Sequence, residues 1–427
     1  MVTSVREPGA AISSTPAGEA ASSVQRHVLR HRELTLTSAF QPIFSLAHLR
    51  AVGYEGLLRA HDIFDRPVPP LDVFGEAARH GELHYVDRLA QSLHLENFKA
   101  LRTEREWLFL NVHAGSLADS YHAAAFRAHL DRLELSPRRI VLELQAVRAE
   151  DFDKVAEQAR RLREQGFLIA LDNFGAGDSN LERIWQLDPD IVKVDRMMLS
   201  QAAHRTEAAH ILPGFVAMLH EAGKLVLVEG VETEHEAQLA FSCDVDFVQG
   251  FHFGRPSPAL ADGAYAAERI AALIEQHRAQ SEARERGRAR RLAPYLRALE
   301  RAGERLAQGE PLEEVCWNFL SLDQAARCFL LDEQGRQTGR NVVLRADRAG
   351  PEAGFLPMAD AQGANWMRRP YFNAALEAPE RIHATKPYLS INEALPCVTL
   401  SMAVRIGERL CVLCGDIDWR DDERPVP

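Results

Sequence analysis

The chain has 427 residues and a mass of 47.7 kDa, a length that predicts two or three domains rather than one. It is acidic, with 50 Lys and Arg against 61 Asp and Glu and a formal charge of −11, which argues against a general nucleic-acid-binding surface. No apolar run approaches the length of a membrane span, and the first residues lack the apolar region of a signal peptide. We therefore expect a cytoplasmic protein without a membrane segment.

The first part of the chain predicts a tail followed by an α/β domain. Residues 1–25 are rich in Ala, Ser, Pro and Gly, which is typical of disorder. Residues 26–265 then alternate apolar, strand-like runs with helix-like segments that end on glycine. The eight runs are "AFQPIFSL", "AVGYEGLLRA", "LFLNV", "IVLEL", "LIALDNF", "IVKVD", "LVLVEGV" and "FVQGFHFG". Eight strands with connecting helices favour a (β/α)₈ barrel, although strand counting alone leaves an open sheet as an alternative.

The rest of the chain predicts a connecting helix and a second module. Residues 266–310 have the dense Arg and Glu content of a solvated or connecting helix. Residues 311–427 combine a helix, strand-like pairs and a loop-rich middle, which predicts a small α/β sandwich. Cys411 and Cys414 lie in an apolar run of this module, and we interpret both as buried thiols rather than metal or redox ligands.

Polar side chains stand at the ends of almost all the predicted barrel strands. The carboxyl ends of barrel strands meet at one mouth, where the chemistry of such folds takes place. The residues at these ends are Glu55, Asn111, Glu143, Asp172, Asn173, Lys193, Asp195, Glu229, Glu232 and Gln249. Each alone is explained by a helix amino terminus or by water, but packed carboxylates repel one another unless cations neutralise them. Oxygen ligands select Mg²⁺ or Mn²⁺, and such ions with Lys193 and Arg59 indicate phosphodiester chemistry.

An ordered series of motifs resembles the EAL-domain family of bacterial cyclic di-GMP phosphodiesterases. The motifs are "QPIFSL", "EGLLR", "NVHAGSL", "LDNFGAG", "KVD", "EGVETE" and "QGFHFGRP", in that family's order over roughly residues 36–265. "EGLLR" matches the family's EALLR signature with Gly56 in place of alanine. The resemblance implies a modified TIM barrel that binds cyclic di-GMP with Mg²⁺ or Mn²⁺, hydrolyses it to linear pGpG and forms a homodimer.

The same resemblance implies a role for each motif residue. The ligands of one metal ion are implied to be Glu55, Asn111, Glu143 and Asp172. Asp172 would bridge to a second ion, which Asn173 and Glu229 complete. Lys193 would contact the attacked phosphate or the nucleophilic water, and Glu229 would be the second catalytic residue. The residues implied to bind or support the substrate are Arg59, Gln249, Glu232 and Asp195.

Two positions depart from the family pattern. Asn173 stands where the family has the second of two adjacent aspartates, which removes a negative charge from the second metal position. Ala146 replaces a glutamate that holds the aspartate-bearing loop in the family. Loss of one such supporting group lowers metal affinity or activity by about 10–100-fold, so nucleotide binding should survive better than turnover.

The second module resembles PAS and Cache-like sensor domains in the stretches "WMRRPYFNAAL" and "KPYLS". The resemblance implies an unidentified small-molecule ligand near Trp366, Arg369, Tyr371 and Tyr388. The alternative is that the aromatic rings fill the core while Arg369 pairs at the surface. We expect a conformational change in such a sensor to be transmitted to the barrel by movement of the charged helix or by altered dimer packing.

Three functions remain open at the level of sequence. A metal-dependent cyclic di-GMP phosphodiesterase is favoured by the intact carboxylates and by Lys193. A cyclic di-GMP receptor without efficient turnover is favoured by Asn173 and Ala146. An interaction scaffold that has lost the nucleotide is disfavoured by the intact "EGLLR" and "QGF".

Overall fold

The computed structural model describes residues 2–4, 27–113, 116, 120–144, 152–176, 181–260, 263–344, 358, 360–392 and 394–419. The chain divides into two compact units, Met1–Ala279 and Gln280–Pro427. Most of the predicted amino-terminal tail lies outside the described residues, and so does Ala146. None of the helices in the described part of the chain combines the length and the apolar composition that crossing a membrane requires.

The first unit alternates strands and helices along the chain. Its strands are β1 (Val2–Ser4), β2 (His27–His31), β3 (Leu34–Ser45), β4 (Arg50–His61), β5 (Pro67–Val68), β6 (Trp107–Val112), β7 (Ile140–Leu144), β8 (Leu168–Phe174), β9 (Ile191–Val194), β10 (Leu225–Val228) and β11 (Phe247–Val248). Its helices are α1 (Pro70–Arg79), α2 (Leu83–Ala100), α3 (Ser120–Arg132), α4 (Phe152–Glu164), α5 (Leu181–Leu187), α6 (Arg196–His204), α7 (Thr206–Glu221) and α8 (Glu234–Ser242), with a 3₁₀ turn at Pro137–Arg139.

Eight of these strands close into a barrel, which confirms the predicted barrel of the first domain. Strands β4 and β6 to β11 run parallel in sequence order, and β3 closes the sheet by pairing with β11 on one side and β4 on the other. Strand β3 is antiparallel to both neighbours. Only a few residues separate β3 from β4, and a parallel pair needs a crossover of a dozen or more. The short connection therefore requires the reversed strand.

One apolar layer inside the barrel supports the polar groups at its mouth. Its buried members are Ile43, Phe109, Val141, Ala170, Ile191, Leu227 and Phe247. Since side chains alternate along a strand, residues two positions apart face the same side. Most of these apolar residues precede a polar residue of the mouth by two positions, as Val141 precedes Glu143 and Ile191 precedes Lys193. The alternation therefore places the polar groups on the same inward side, directly above the apolar layer.

The second unit is built on an antiparallel sheet of five strands. They are β12 (Ala325–Leu331), β13 (His383–Ala384), β14 (Tyr388–Leu389), β15 (Pro396–Ile406) and β16 (Arg409–Asp418). The sheet order is β12, β16, β15, β13, and β14 also pairs with β15. Short helices α10 (Leu312–Val315), α11 (Trp317–Leu320) and α12 (Pro370–Glu377) follow the long helix α9 (Gly263–Ala307). Cys411 and Cys414 are buried and unpaired, as predicted.

Helix α9 covers most of the predicted connecting segment and contributes apolar residues to the core of each unit. Ala266 and Ile270 belong to the apolar core of the first unit, and Leu292, Leu299 and Leu306 to the core of the second. Apolar residues three or four positions apart form one buried face of a helix. The many Arg and Glu residues on the other faces conceal this pattern in the sequence.

Candidate active site at the barrel mouth

Adjacent strands bring the predicted polar residues together at one mouth of the barrel. Asn111 on β6 lies in register with Glu143 on β7, and Gln41 on β3 lies in register with Glu55 on β4. Glu55, Glu143, Asp172, Lys193 and Gln249 are all buried. The geometry therefore places on one face the groups that the strand-end pattern selected.

A single lysine occupies the centre of this cluster. The Lys193 side chain is 1% exposed, and its Nζ lies 2.5 Å from Glu143 Oε1 and 2.5 Å from Glu229 Oε1. Asp172 Oδ1 follows at 3.5 Å and Glu55 Oε2 at 3.8 Å. Four carboxylates thus surround one ammonium group, which leaves the cluster with more negative charge than Lys193 balances.

Burial and the excess of carboxylates shift the pKa values of the groups in the cluster. Burial and the charge of Glu55 raise the pKa of Glu143 well above its usual value, against the opposing effect of Lys193. Burial raises the pKa of Glu229 to about 7. Burial would lower the pKa of Lys193, but Glu143 and Glu229 raise it well above its usual value. Lys193 therefore stays charged, while protonation relieves part of the repulsion between the carboxylates.

Glu55 is held as a carboxylate by its hydrogen bonds. Asn111 Nδ2 donates to Glu55 Oε1 at 2.9 Å, and Gln249 Nε2 donates to Oε2 at 2.7 Å. Burial alone would raise the pKa of Glu55, but the charge of Lys193 and these two donors together hold it below the usual value. Each carboxylate oxygen of the glutamate in the apolar run "GYEGLLRA" therefore accepts a hydrogen bond.

A cleft of about 520 Å³ opens above the cluster, within the size range of small-ligand sites. Its lining includes Glu55, Asp172, Lys193, Glu229 and Gln249 of the cluster, together with Arg59, Asn173, Asp195 and Glu232. The half-buried Arg59 forms no ion pair with a carboxylate in the described part of the chain, and its Nη1 donates to the Leu58 carbonyl at 2.9 Å. A guanidinium without a carboxylate partner at the rim is suited to an anionic ligand.

Two further predicted site residues make contacts with neighbouring residues of the chain. The Asp195 side chain caps helix α6, because its Oδ1 accepts from the Met197 amide at 2.8 Å. Glu232 is exposed and lies 3.6 Å from Arg196 Nη1. Both border the cleft, so a role toward a ligand stays a prediction for each.

Asn173 sits at an irregularity in strand β8. Its backbone has φ of 53°, a left-handed conformation that asparagine adopts more readily than most residues, and the register shifts between Leu171 and Phe174. Its Nδ2 donates to Asp172 Oδ2 at 2.7 Å. The asparagine thus neighbours the carboxylate cluster at the position where the family pattern has an aspartate.

The donor set of the mouth fits a hard divalent cation. Apart from Lys193, no donor in the described part of the chain reaches either carboxylate oxygen of Glu143 or the Oδ1 of Asp172. Buried oxygens without donors are suited to cation binding, and an all-oxygen set favours Mg²⁺ or Mn²⁺. Among the residues that the structure describes, however, no three His, Cys, Asp or Glu side chains are arranged to hold one ion, and the carboxylates contact Lys193 instead.

Several cleft residues carry no role in the sequence-based account. They are Gln41 on β3 and the buried polar residues Asp87, Gln91 and His94 on α2. Gln41 Oε1 accepts from Gln249 Nε2 at 3.3 Å, and Gln91 Nε2 donates to Asp87 Oδ2 at 3.1 Å. The sequence contains a pattern that could have indicated these residues. The polar residues at positions 87, 91 and 94 lie on the same face of the helix as its apolar residues.

The predicted sensor residues of the second unit lie close to one another. Tyr371 is buried in an apolar cluster that Trp366 and Tyr388 pack against. Arg369 is exposed, with its guanidinium carbon 5.9 Å from the ring centres of both Trp366 and Tyr388. This packing favours the core interpretation of the aromatic rings, and a small-molecule ligand here stays a prediction.

Residues 22–256, more than half of the chain, match the EAL domain family. The chain therefore belongs to the EAL domain family. It is similar to the cyclic di-GMP phosphodiesterase NbdA of Pseudomonas aeruginosa, with 29% identity over 246 residues. That alignment covers 55% of this chain and 30% of NbdA, so the chain spans less than a third of this relative. An uncharacterized signaling protein of Caulobacter vibrioides is 27% identical over 224 residues, which are 51% of this chain and 27% of that protein.

A match over both units is found with YkuI of Bacillus subtilis, an uncharacterized EAL-domain-containing protein. It is 23% identical over 350 residues, which cover 78% of this chain and 82% of YkuI. The crystal structure of YkuI in complex with substrate cyclic di-GMP and calcium aligns with a TM-score of 0.69 at 20% identity. It covers 90% of this chain and 96% of that one, which shows a shared fold.

Proposed function

We propose that this chain binds cyclic di-GMP in the cleft at the barrel mouth and, with divalent cations, hydrolyses it to linear pGpG. The observation that supports this most strongly is the set of four carboxylates around Lys193, bordered by Arg59 without a carboxylate partner in the described residues. In such a site the excess of negative charge would attract cations, and the guanidinium would bind a phosphate group. NbdA is a cyclic di-GMP phosphodiesterase, and the YkuI crystal contains this nucleotide with calcium.

The chain's own residues divide into those that would hold cations and those that would hold the nucleotide. One ion would be held by Glu55, Asn111, Glu143 and Asp172, and a second by Asp172, Asn173 and Glu229. When bound, such ions neutralise phosphate charge and lower the pKa of water. Gln249 and Asn111 keep Glu55 ionised and oriented through the two hydrogen bonds at 2.7 and 2.9 Å.

Lys193 and Arg59 supply the positive charge that a phosphodiester needs. Lys193 is fixed at the centre of the mouth by its contacts with Glu143 and Glu229, and its charge stabilises the negative charge that develops on the attacked phosphate. Arg59 at the cleft border would hold a phosphate oxygen. Cations held by Glu143 and Glu229 would share these carboxylates with Lys193 and would supply further positive charge for the phosphate.

A receptor without efficient turnover is the second candidate, and Asn173 is the observation that favours it. Its amide donates to Asp172 rather than adding a carboxylate to the second cation position. A neutral ligand weakens that position without removing the carboxylates around Lys193. In this case nucleotide binding persists and hydrolysis is slow.

The direct test is incubation of the protein with cyclic di-GMP and Mn²⁺, with chromatography of the nucleotide products. We expect pGpG from the wild type and none from Glu55→Gln, which keeps the side-chain size and removes the charge. Glu157→Gln on the exposed surface of α4 is the matched control and should retain the wild-type rate. Intact nucleotide at saturating Mn²⁺, together with saturable binding, would establish the receptor instead.

A further inference from the structure

A histidine on helix α2 borders the cleft beside strand β4. His94 is 4% exposed and lines the cleft together with Gly56, Ala90 and Gln91. Gly56 stands where the EALLR signature has alanine. A Cβ added to Gly56 would lie 3.0 Å from His94 Cγ and 3.2 Å from Cδ2, closer than side-chain carbons normally approach. The glycine therefore makes the room that the imidazole ring occupies.

A chain of hydrogen bonds sets the tautomer of this ring. Asn97 Oδ1 accepts from the His27 amide at 2.8 Å, and Asn97 Nδ2 donates to the His27 carbonyl at 3.0 Å, which fixes the orientation of the amide. Asn97 Nδ2 also donates to Ser38 Oγ at 3.2 Å, so the Ser38 hydroxyl is free to donate to His94 Nδ1 at 2.8 Å. His94 Nδ1 is then an acceptor, and Nε2 carries the proton.

The remaining N–H group has no partner in the part of the chain that the structure describes. Among the described residues, no hydrogen bond joins His94 Nε2 to another group, although the ring is buried. Since His94 lines the cleft, a ligand bound there would supply an acceptor for this N–H group. The lining of the cleft also includes the apolar residues Pro70, Leu71, Phe74 and Ala90, which suit a planar base better than a phosphate.

We propose that His94 is a specificity-determining residue that donates a hydrogen bond from Nε2 to the O6 atom of a guanine base of the bound nucleotide. The inference rests on the proposed function, because it takes cyclic di-GMP as the ligand. Guanine presents an acceptor at O6, whereas adenine presents an amino donor at the equivalent position. A fixed N–H donor therefore favours guanine and repels adenine.

The test compares affinities for cyclic di-GMP and cyclic di-AMP by calorimetric titration in Ca²⁺. His94→Ala is expected to weaken cyclic di-GMP binding by about tenfold, the usual effect of losing one hydrogen bond, and to leave cyclic di-AMP binding no weaker. His94→Gln, whose Nε2 is also a donor, should restore most of the preference. Gly56→Ala should weaken cyclic di-GMP binding several-fold, and it should add nothing further in the His94→Ala background, where the ring is absent.

The outcomes separate this inference from the function on which it rests. A wild type that binds no cyclic di-GMP contradicts the proposed function. A wild type that binds it, with a folded His94→Ala variant of equal affinity, contradicts the role of His94. An equal loss of both nucleotides would place the contact on the shared phosphates and overturn guanine recognition. Thermal unfolding of each variant confirms that the titrations use folded protein.

Discussion

The ammonium group of Lys193 lies 2.5 Å from Glu143 Oε1, and both side chains are almost fully withdrawn from solvent. Removing one partner of a buried ion pair leaves the other charge without compensation. Lys193→Met should therefore lower the free energy of unfolding in EDTA by about 3–5 kcal/mol, measured by chemical denaturation. Mn²⁺ should restore much of this stability and raise the melting temperature of the variant more than that of the wild type, because the ion replaces the lost positive charge.

Arg160→Met is the matched control for this variant. Arg160 is exposed on α4, where it pairs with Glu157 and Glu164. Surface ion pairs of this kind contribute little, so the control should unfold like the wild type with and without Mn²⁺. A Lys193→Met protein that is as stable as the wild type in EDTA would contradict the central position of Lys193 in the cluster.

Burial of His94 makes stability depend on pH. Burial lowers the pKa of His94 to about 4, below its usual value of 6.5. The folded state binds fewer protons at this ring than the unfolded state, so its contribution is complete above pH 6.5 and is lost as the pH falls through 4. Between pH 7 and pH 4 the wild type should lose about 3 kcal/mol more unfolding free energy than His94→Gln. Parallel pH profiles of the two proteins in urea would contradict this assignment.

Asn173→Asp should raise hydrolytic activity at low metal concentration. The substitution restores a carboxylate beside Asp172 and replaces an amide that now donates to that side chain. Added negative charge strengthens cation binding at the second position. The measurement is the rate of pGpG formation over a titration of Mn²⁺, where the half-saturating concentration should fall. Identical titration curves for variant and wild type would show that the asparagine does not limit turnover.

Gly250 lets the segment that carries Gln249 pack against the chain after strand β10. A Cβ at this position would lie 2.1 Å from the Val231 carbonyl oxygen, so Gly250→Ala should cost at least about 1–3 kcal/mol through overpacking. Gly214 on the exposed face of α7 has no atom within 4 Å of its added Cβ. Gly214→Ala should therefore stabilise the protein by about 0.5–1 kcal/mol. Urea unfolding of both variants gives the comparison, and equal stability of the two would contradict the packing described.

Much of the barrel and its site could be predicted because each polar residue ends an apolar strand. Glu143 and Lys193 follow the inner-layer residues Val141 and Ile191 by two positions, a period that the sequence displays. The direction of β3 follows instead from the length of its connection to β4.

The partners of the polar residues were harder to predict. His94 and Asn97 meet Ser38 across more than fifty residues of sequence, and that contact depends on how α2 packs against β3. The Ala146 substitution lies outside the described residues, so its effect on the neighbouring loop remains a prediction.

The most direct test of the central claim is a calorimetric titration of cyclic di-GMP into the wild-type protein in Ca²⁺, compared with Arg59→Ala. Arg59 is the guanidinium at the cleft border, and loss of a charged hydrogen bond should weaken binding by at least about tenfold. We predict saturable binding to the wild type at one nucleotide per chain and a clear loss of affinity in the variant. Absence of saturable binding to the wild type, or equal affinity of the two proteins, would contradict it.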